Sequence, residues 1–347
     1  MTTYMRAVDV KGGAGHADAL FINDKTPKPT AGDGEAVVKV KAFGLNRMDL
    51  LQREGKYPLG PHIPKTMGVE FSGVIESLGT HHSTSAPTGD ASGAFKVGDE
   101  VFGLAYGGAY AEYLASSVRM LVHKPAYLSW EQAAAIPENW ITALQALHEV
   151  GGFRGDLGQT ALWHAGASGV SIAGIQLSKL AGASAVYATA GTDDKCAFLV
   201  RALGAKAAFN YKTHNWADEV LAATDNKGVD FIVDYIGADY FQKNLDAAAL
   251  DAHIVLLALM SGAQLPADVN ISNILRKRLR IEGSGLRSRA PDYQGRLRDR
   301  LVTVLPHFEA GKLKLYLDKV LPWEQIREAH EYMEKNVSMG KIVCTIN

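Results

Sequence analysis

The chain has 347 residues, with 36 Lys and Arg against 37 Asp and Glu for a formal net charge of −1, and 47% of it is hydrophobic against 21% charged. That length implies two domains of about 150 residues each, and the near-neutral balance removes the simplest argument for nucleic acid or an anionic membrane as partner. No apolar run approaches the roughly 20 residues of a membrane span, the first residues hold no apolar signal core, and the two distant cysteines, Cys196 and Cys344, exclude a disulfide framework or a cysteine-built zinc site; a cytoplasmic protein is expected.

Through about residue 125 the pattern is β-rich. Ala36–Val40, Phe71–Glu76 and Glu100–Gly103 are short alternating or β-branched runs between glycines and prolines, which suits strands of a barrel or sandwich. Met48–Arg53 reads as a short helix. His81–Phe95 is rich in Ser, Thr, Gly, Ala and Pro and reads as a surface loop. At Ser129 the pattern changes. Ser129 and Gln132 stand in capping-box spacing before an apolar run, so a helix starts there. Pro137 interrupts it, and Ile141–Val150 resumes helical spacing.

From residue 160 strands and helices alternate. Strands are expected at Thr160–His164, Ala185–Thr189, Ala207–Asn210, Phe231–Asp234 and Ile254–Leu259. Helices are expected at Val170–Ala181, Asp194–Leu203, Trp216–Thr224 and Tyr240–Ala249. The unbroken apolar run Ile254–Leu259 suits a strand buried on both faces. This alternation predicts an α/β fold with a doubly wound parallel sheet. Helices follow at about 294–310 and at Trp323–Lys335. Lys341–Ile346 alternates as a last strand that is free to rejoin the N-terminal β region. The organisation expected is 1–128 as the first part of a β domain, 129–288 as a dinucleotide domain, and 289–347 as a return to the first domain.

The strand at 160–164 runs into His164-Ala-Gly-Ala-Ser-Gly-Val-Ser171 and then a helix. Small residues at such a turn let the first amides of the helix, at Gly166, Ser168, Gly169 and Val170, approach a pyrophosphate. The strict G-x-G-x-x-G spacing is met at Gly166 but not at Ser168 or Ser171. A ribose-binding carboxylate is expected at the tip of the second strand in an NAD site. That strand ends at Gly191 without one. Lys195 and Tyr211 follow, a cation and a phenol suited to a 2′-phosphate, so NADPH is the expected cofactor. Asp193 and Asp194 either oppose that phosphate or charge the first turn of a helix. Lys195 is otherwise a solvated helix residue.

Taken together, Gly44–Arg53 with Gly55-Lys-Tyr-Pro58, Met67–Gly73, Ala133–Thr142, His164–Gly169, Phe209–Lys212, Ser284–Arg289, Glu328–Met333 and Gly340–Val343 resemble the medium-chain dehydrogenase/reductase superfamily. The similarity is to its zinc-independent NADPH:quinone oxidoreductases, nearest to the p53-inducible quinone oxidoreductase type. The resemblance implies a GroES-like β domain formed by both chain ends, a Rossmann domain inserted between them, an active site in the cleft, and a homodimer or homotetramer. Zinc-containing relatives carry a cysteine at Asn46 and a histidine at Val69, so no metal is expected; an amide and a valine are not zinc ligands. His81 and His82 are adjacent but lack further ligand-like spacing.

The resemblance places Asn46 at the nicotinamide end of the site and Tyr57 in the quinone pocket. The bland alternatives are a turn asparagine and a half-buried aromatic. Asp49 and Arg53 are four apart, which serves a proton relay or, more simply, a bracing ion pair. Thr142 matches a threonine near the cofactor diphosphate. Met260, Ser261 and Gly262 match a loop whose backbone meets the carboxamide. Leu286 and Arg287 return towards the cleft, and Lys341 approaches the cofactor. Without a Lewis acid the acceptor must already be electrophilic, a quinone (planar ortho-quinones first) or a conjugated enone. The competing readings are an enoyl or enone C=C reductase of the same fold and an RNA-binding or structural relative. The last would use Arg276, Lys277, Arg278 and Arg280, or Arg296, Arg298 and Arg300, although a solvated helix face accounts for these more simply.

Overall fold

A computed structural model describes residues 2–60, 63–80 and 94–347. His81, His82 and most of the expected loop 81–95 lie outside the described residues. The chain forms two compact units, one of residues 1–141 with 289–347 and the other of residues 142–288. Among the described residues no helix is long and apolar enough to cross a membrane.

The first unit begins with an antiparallel pair, β1 (Tyr4–Val10) and β2 (Leu20–Pro27). There follow β3 (Glu35–Gly44), α1 (Arg47–Arg53), β4 (Glu70–Leu78), β5 (Glu100–Leu104), β6 (Tyr113–Ser117), β7 (Leu121–His123) and α2 (Trp130–Ala134). Strand β3 is the spine. Its Ala36, Val38, Val40 and Phe43 are buried with Phe71 and Ile75 of β4, to which it is antiparallel. Burying each of the valine, phenylalanine and isoleucine side chains contributes roughly 1.5–3 kcal/mol. The expected capping box is present: the Ser129 hydroxyl accepts from Gln132 N at 3.2 Å, and the Gln132 side chain accepts from Ser129 N at 2.9 Å. Ser72 of β4 holds α2 in place by donating to Trp130 O at 2.7 Å. The expected interruption is present, since α2 stops at Ala134 and Pro137 lies beyond its end. Pro137 opens α3 (Pro137–Leu144), where proline lacks only an amide that has no helical partner. Residues Gln145–Val150 continue as π-helical turns rather than the regular helix expected.

The second unit is built from β8 (Thr160–Trp163), α4 (Gly169–Leu180), β9 (Ala185–Ala190), α5 (Asp193–Arg201), β10 (Ala207–Asn210), α6 (Trp216–Ala223), β11 (Val229–Asp234), α7 (Ala238–Ala247), β12 (Ala248–Leu256), α8 (Ser272–Arg276) and β13 (Arg280–Gly283). All six strands are parallel, in the order β10-β9-β8-β11-β12-β13. That is the 3-2-1-4-5-6 order of a Rossmann sheet, whose ligands bind beyond the carboxyl ends of its strands. Strand β12 runs earlier than the expected 254–259. Ala248 pairs with Val229 and ends the helix at Ala247, and Leu259 is 51% exposed, outside the strand.

The chain then returns to the first unit through α9 (Pro291–Glu309), β14 (Leu317–Pro322), α10 (Ile326–Glu334) and β15 (Lys341–Thr345). Strand β15 pairs antiparallel with β3, Cys344 opposite Phe43, and parallel with β14. The last strand therefore completes the sheet of the first, giving the GroES-like β unit that the resemblance implied. The basic clusters are only partly a solvated face. Lys277 donates to the carbonyls of Leu245, Asp246 and Ala248 at the end of α7, Arg278 pairs with Asp251, and buried Arg298 donates to Leu121 O.

Candidate functional site

The turn after β8 shows why its residues are small. Ala165 takes a left-handed φ of +46°, and Gly166 N donates to Thr189 O at 2.7 Å. A Cβ on Gly166 would lie 2.6 Å from Leu199 Cδ1, so only glycine lets the turn press against α5. Ser168 caps α4 by accepting from Ser171 N, and Ser171 donates to His164 O at 2.7 Å. The first two helix amides, Gly169 and Val170, have no partner among the described residues. They are the amides that an α-helix leaves for an anion. A glycine that the sequence reading overlooked is Gly174. A Cβ there would enter the Trp163 ring, so the close-packing position sits one turn beyond Ser171.

Behind the turn, His164 is fully buried. Its ring meets Thr189 Oγ1 at 3.0 Å and Asn244 Oδ1 at 2.8 Å, and Asn244 donates to Asp234 Oδ2 at 3.0 Å. Asp234 accepts only, so Asn244 must present its oxygen to His164, which fixes the proton on Nε2. Burial holds the imidazole pKa below its ordinary value, and a neutral ring suits this network.

At the tip of β9, Tyr211 Oη lies 2.6 Å from where a Gly191 Cβ would stand, and Lys212 Cε lies 3.4 Å from it. Gly191, Tyr211 and Lys212 therefore converge. Lys195 sits in the first turn of α5, its backbone amide capped by Thr192 at 3.2 Å. Asp193 is engaged by Asn210 Nδ2 at 2.7 Å. Lys212 was visible only as part of a family match; its partnership with Gly191 needs the β9–β10 pairing. Thr142 Oγ1 is buried with no hydrogen-bond partner among the described residues. In the 260–262 loop, the amides of Met260, Ser261 and Gly262 donate to Tyr235, Ile236 and Leu259 carbonyls, and Gly262 O accepts from Ala238 N at 3.2 Å, so the loop has carbonyls, chiefly those of Met260 and Ser261, rather than amides to offer. The Ser261 hydroxyl is also spent, donating to Ile236 O at 2.9 Å. Leu286 and Arg287 are buried. The open helix amides, the orphaned threonine hydroxyl and the glycine at the β9 tip fit a dinucleotide.

In the first unit the sequence candidates Asn46 and Lys341 meet directly. Lys341 Nζ donates to Asn46 Oδ1 at 2.7 Å and pairs with Glu70 Oε1, and Asn46 Nδ2 donates to the same Glu70 oxygen at 2.8 Å. Glu70 Oε2 accepts from Glu138 N at 2.8 Å. Gly44 is required beside them, since a Cβ there would collide with Glu70 and Lys341. Tyr57 follows α1, its amide donating to Leu51 O at 3.2 Å.

Asp49 does not form the expected ion pair with Arg53. Its Oδ2 caps α1 by accepting from Asn46 N at 2.8 Å and also accepts from Tyr110 Oη at 3.0 Å. Arg53, fully buried, donates to Gly15 O at 3.0 Å and pairs with Glu54 and Glu334. Its Nη1 faces His330 Nδ1 at 3.3 Å, and His330 Nε2 faces Tyr110 Oη at 3.3 Å. Arginine only donates, so the proton is on His330 Nε2, and the chain runs Arg53 to His330 to Tyr110 to Asp49. Burial first and Arg53 second lower the His330 pKa to about 3. Burial first, then Asp49, raises that of Tyr110. The sequence gives no sign of this chain, because His330 and Tyr110 are 220 residues apart.

Zinc takes thiolate, imidazole or carboxylate ligands. Here Asn46 offers an amide, Val69 is a buried aliphatic, and Glu70 already faces an ammonium. These residues do not fit a zinc ion.

Residues 32–126 match the alcohol dehydrogenase GroES-like domain, and residues 169–302 match the zinc-binding dehydrogenase family. The quinone oxidoreductase of Sus scrofa is 27% identical over 334 residues, 96% of this chain and 95% of that protein. A solved NAD-dependent alcohol dehydrogenase is 31% identical with a TM-score of 0.80, over 99% of this chain and all of the other. The JamJ enoyl reductase in its apo form is 26% identical with a TM-score of 0.83, over 99% of this chain and 100% of that one. With a GroES-like unit made by both chain ends and a six-stranded Rossmann sheet between them in sequence, the chain belongs to the medium-chain dehydrogenase/reductase superfamily.

Proposed function

We propose that the protein is a cytoplasmic, homo-oligomeric oxidoreductase that reduces quinones with NADPH, without zinc, planar ortho-quinones being its first candidates. The observation that carries this reading is the Lys341 ammonium held between Asn46 and Glu70, where a zinc enzyme needs open ligands. A protein without a Lewis acid at that position needs an acceptor that is already electrophilic. When bound, NADPH supplies the hydride. Thr142 and the amides of Gly166, Ser168, Gly169 and Val170 hold its diphosphate region. Lys195, Tyr211 and Lys212 beside Gly191 hold a 2′-phosphate, and the carbonyls of Met260, Ser261 and Gly262 accept from a carboxamide, with Leu286 packing nearby. Asn46 donates a hydrogen bond to the acceptor oxygen as charge develops there, and Tyr57 stacks on a flat substrate. Asp49 acts by capping the helix that carries Asn46.

The similarity to an enoyl reductase favours a second reading, reduction of a conjugated C=C, which needs the same donor. The NAD-dependent relative makes cofactor choice a question for the Gly191 corner. The test is NADPH oxidation by chelator-treated protein with 9,10-phenanthrenequinone, beside NADH at equal concentration. Hydroquinone or semiquinone formed with NADPH preferred supports the reading. Saturation of an enone without quinone turnover would replace it by the second.

A further inference from the structure

We propose that Glu70 and Lys341 are positioning residues that fix the polarity of Asn46, so that its amide can only donate to a substrate oxygen. The inference rests on Asn46 acting as that donor. The two ends of an asparagine amide have nearly the same shape, and only their partners decide which end faces where. Lys341 Nζ has hydrogens and no lone pair, so it must meet Oδ1, at 2.7 Å. A carboxylate has lone pairs and no hydrogen, so Glu70 Oε1 must meet Nδ2, at 2.8 Å. Inversion of the amide would set two donors against each other at Lys341 and two acceptors at Glu70. Both charged groups are at least nine-tenths buried, Glu70 at 0% and Lys341 at 5% exposure, so solvent cannot relieve either clash.

One Nδ2 hydrogen is used by Glu70. The second has no partner among the described residues, and Asn46 keeps 9% of its surface exposed. That N–H is the donor left for a ligand. Glu70 is suited to the task because it needs two acceptor oxygens: Oε1 serves Asn46 and Lys341, and Oε2 serves the backbone of α3 at Glu138. Asn139 Oδ1, 3.5 Å from Lys341 Nζ, adds a long contact on the same ammonium.

Glu70→Gln tests this with almost no change of shape. Glutamine has one acceptor oxygen. If it serves Glu138 N, its amide nitrogen faces Asn46, which must turn over or lose the contact. If it serves Asn46, the start of α3 loses its partner. The expected result is a kcat for 9,10-phenanthrenequinone lower by roughly 10²-fold, the range for loss of one preorganised donor, with the KM for NADPH unchanged. In the complex with NADP⁺ and the quinone, the bound C=O stretch should move back towards its value in solution. Lys341→Arg, which keeps a cationic donor, should retain much of the wild-type kcat. The double variant Glu70→Gln with Lys341→Met removes both buried charges together and guards against an unpaired charge unfolding the single variant; it should also be slow and show the unshifted carbonyl. Wild-type kcat and carbonyl shift in Glu70→Gln or in the double variant would overturn the proposal. If the wild-type protein binds the quinone without reducing it, the quinone reductase reading fails, and the carbonyl shift of wild type against variant still decides the orientation of the amide.

Discussion

Thr142 carries a hydroxyl sealed from solvent and bonded to nothing among the described residues. A buried unsatisfied hydroxyl costs about 1–3 kcal/mol, and folds keep such a group when a ligand uses it. Thr142→Val should therefore act in two directions. The free protein should gain about 1 kcal/mol of stability, while NADPH binding weakens by roughly tenfold, the equivalent of about 1.4 kcal/mol. Denaturant melts and calorimetric titration read the two effects separately. A variant that binds NADPH as well as the wild type would remove Thr142 from the cofactor site. His330 makes a prediction of another kind. Its folded pKa is about 3, against an ordinary 6.5 that the unfolded chain restores. Between these values the unfolded state binds more protons, so stability rises with pH across the window. It should be lost as pH falls below about 6.5, by up to ~1.4 kcal/mol per pH unit. His164 is shifted in the same direction, so His330→Asn should flatten this slope without abolishing it. An unchanged slope in that variant would show that His330 is not held neutral by its place between Arg53 and Tyr110.

At the scale of elements, α4 is close-packed on β8 through a single missing side chain. The Trp163 ring fills the space where a Gly174 Cβ would stand, and the indole donates to Ser178 Oγ at 3.0 Å. Gly174→Ala should destabilise by about 1–3 kcal/mol through overpacking, and Trp163→Leu in the same chain should recover part of it. Additive losses in the double variant would show that helix and indole do not compete for that space. This contact also marks the limit of what the sequence conveys. The turn, its helix and the parallel alternation were legible because they rest on local periodicity and small residues. Lys341 and Asn46 were legible singly, but their contact depends on β15 lying against β3, 295 residues apart. Strands β1, β2, β6, β7, β13 and β14 passed unread; Arg280–Gly283 and Leu317–Pro322, for example, are short or half-exposed and are defined by their partners. The 240–260 region was displaced for a physical reason. Ala-rich Ala247–Ala249 reads as helix, yet pairing of Ala248 with Val229 pulls it into the sheet.

The whole molecule carries a net charge of only −1, so its overall field offers NADPH little that it does not offer NADH. Discrimination must come from groups within reach of the 2′-position. The second unit supplies Tyr211 and Lys212 against Gly191, with no carboxylate at the tip of β9 and Asp193 held by Asn210. A contact of this kind is local and charge-assisted, so salt should screen it. A saturating ligand at about 100 times its Kd stabilises a protein by roughly 2.7 kcal/mol, which, at about 2–4 °C per kcal/mol for a unit of this size, shifts Tm by about 5–11 °C. NADPH should give a shift of that order, and NADH at the same concentration a smaller one. Lys212→Ala should weaken NADPH by roughly tenfold, within the range of one charge-assisted hydrogen bond, and leave NADH unchanged, so that the two shifts converge. Raising the salt concentration should bring them together in the wild type as well. If Lys212→Ala weakened both cofactors equally, the lysine would be serving the diphosphate or the fold of the β10 tip, and the proposed preference for NADPH would have to rest on Lys195 and Tyr211 alone.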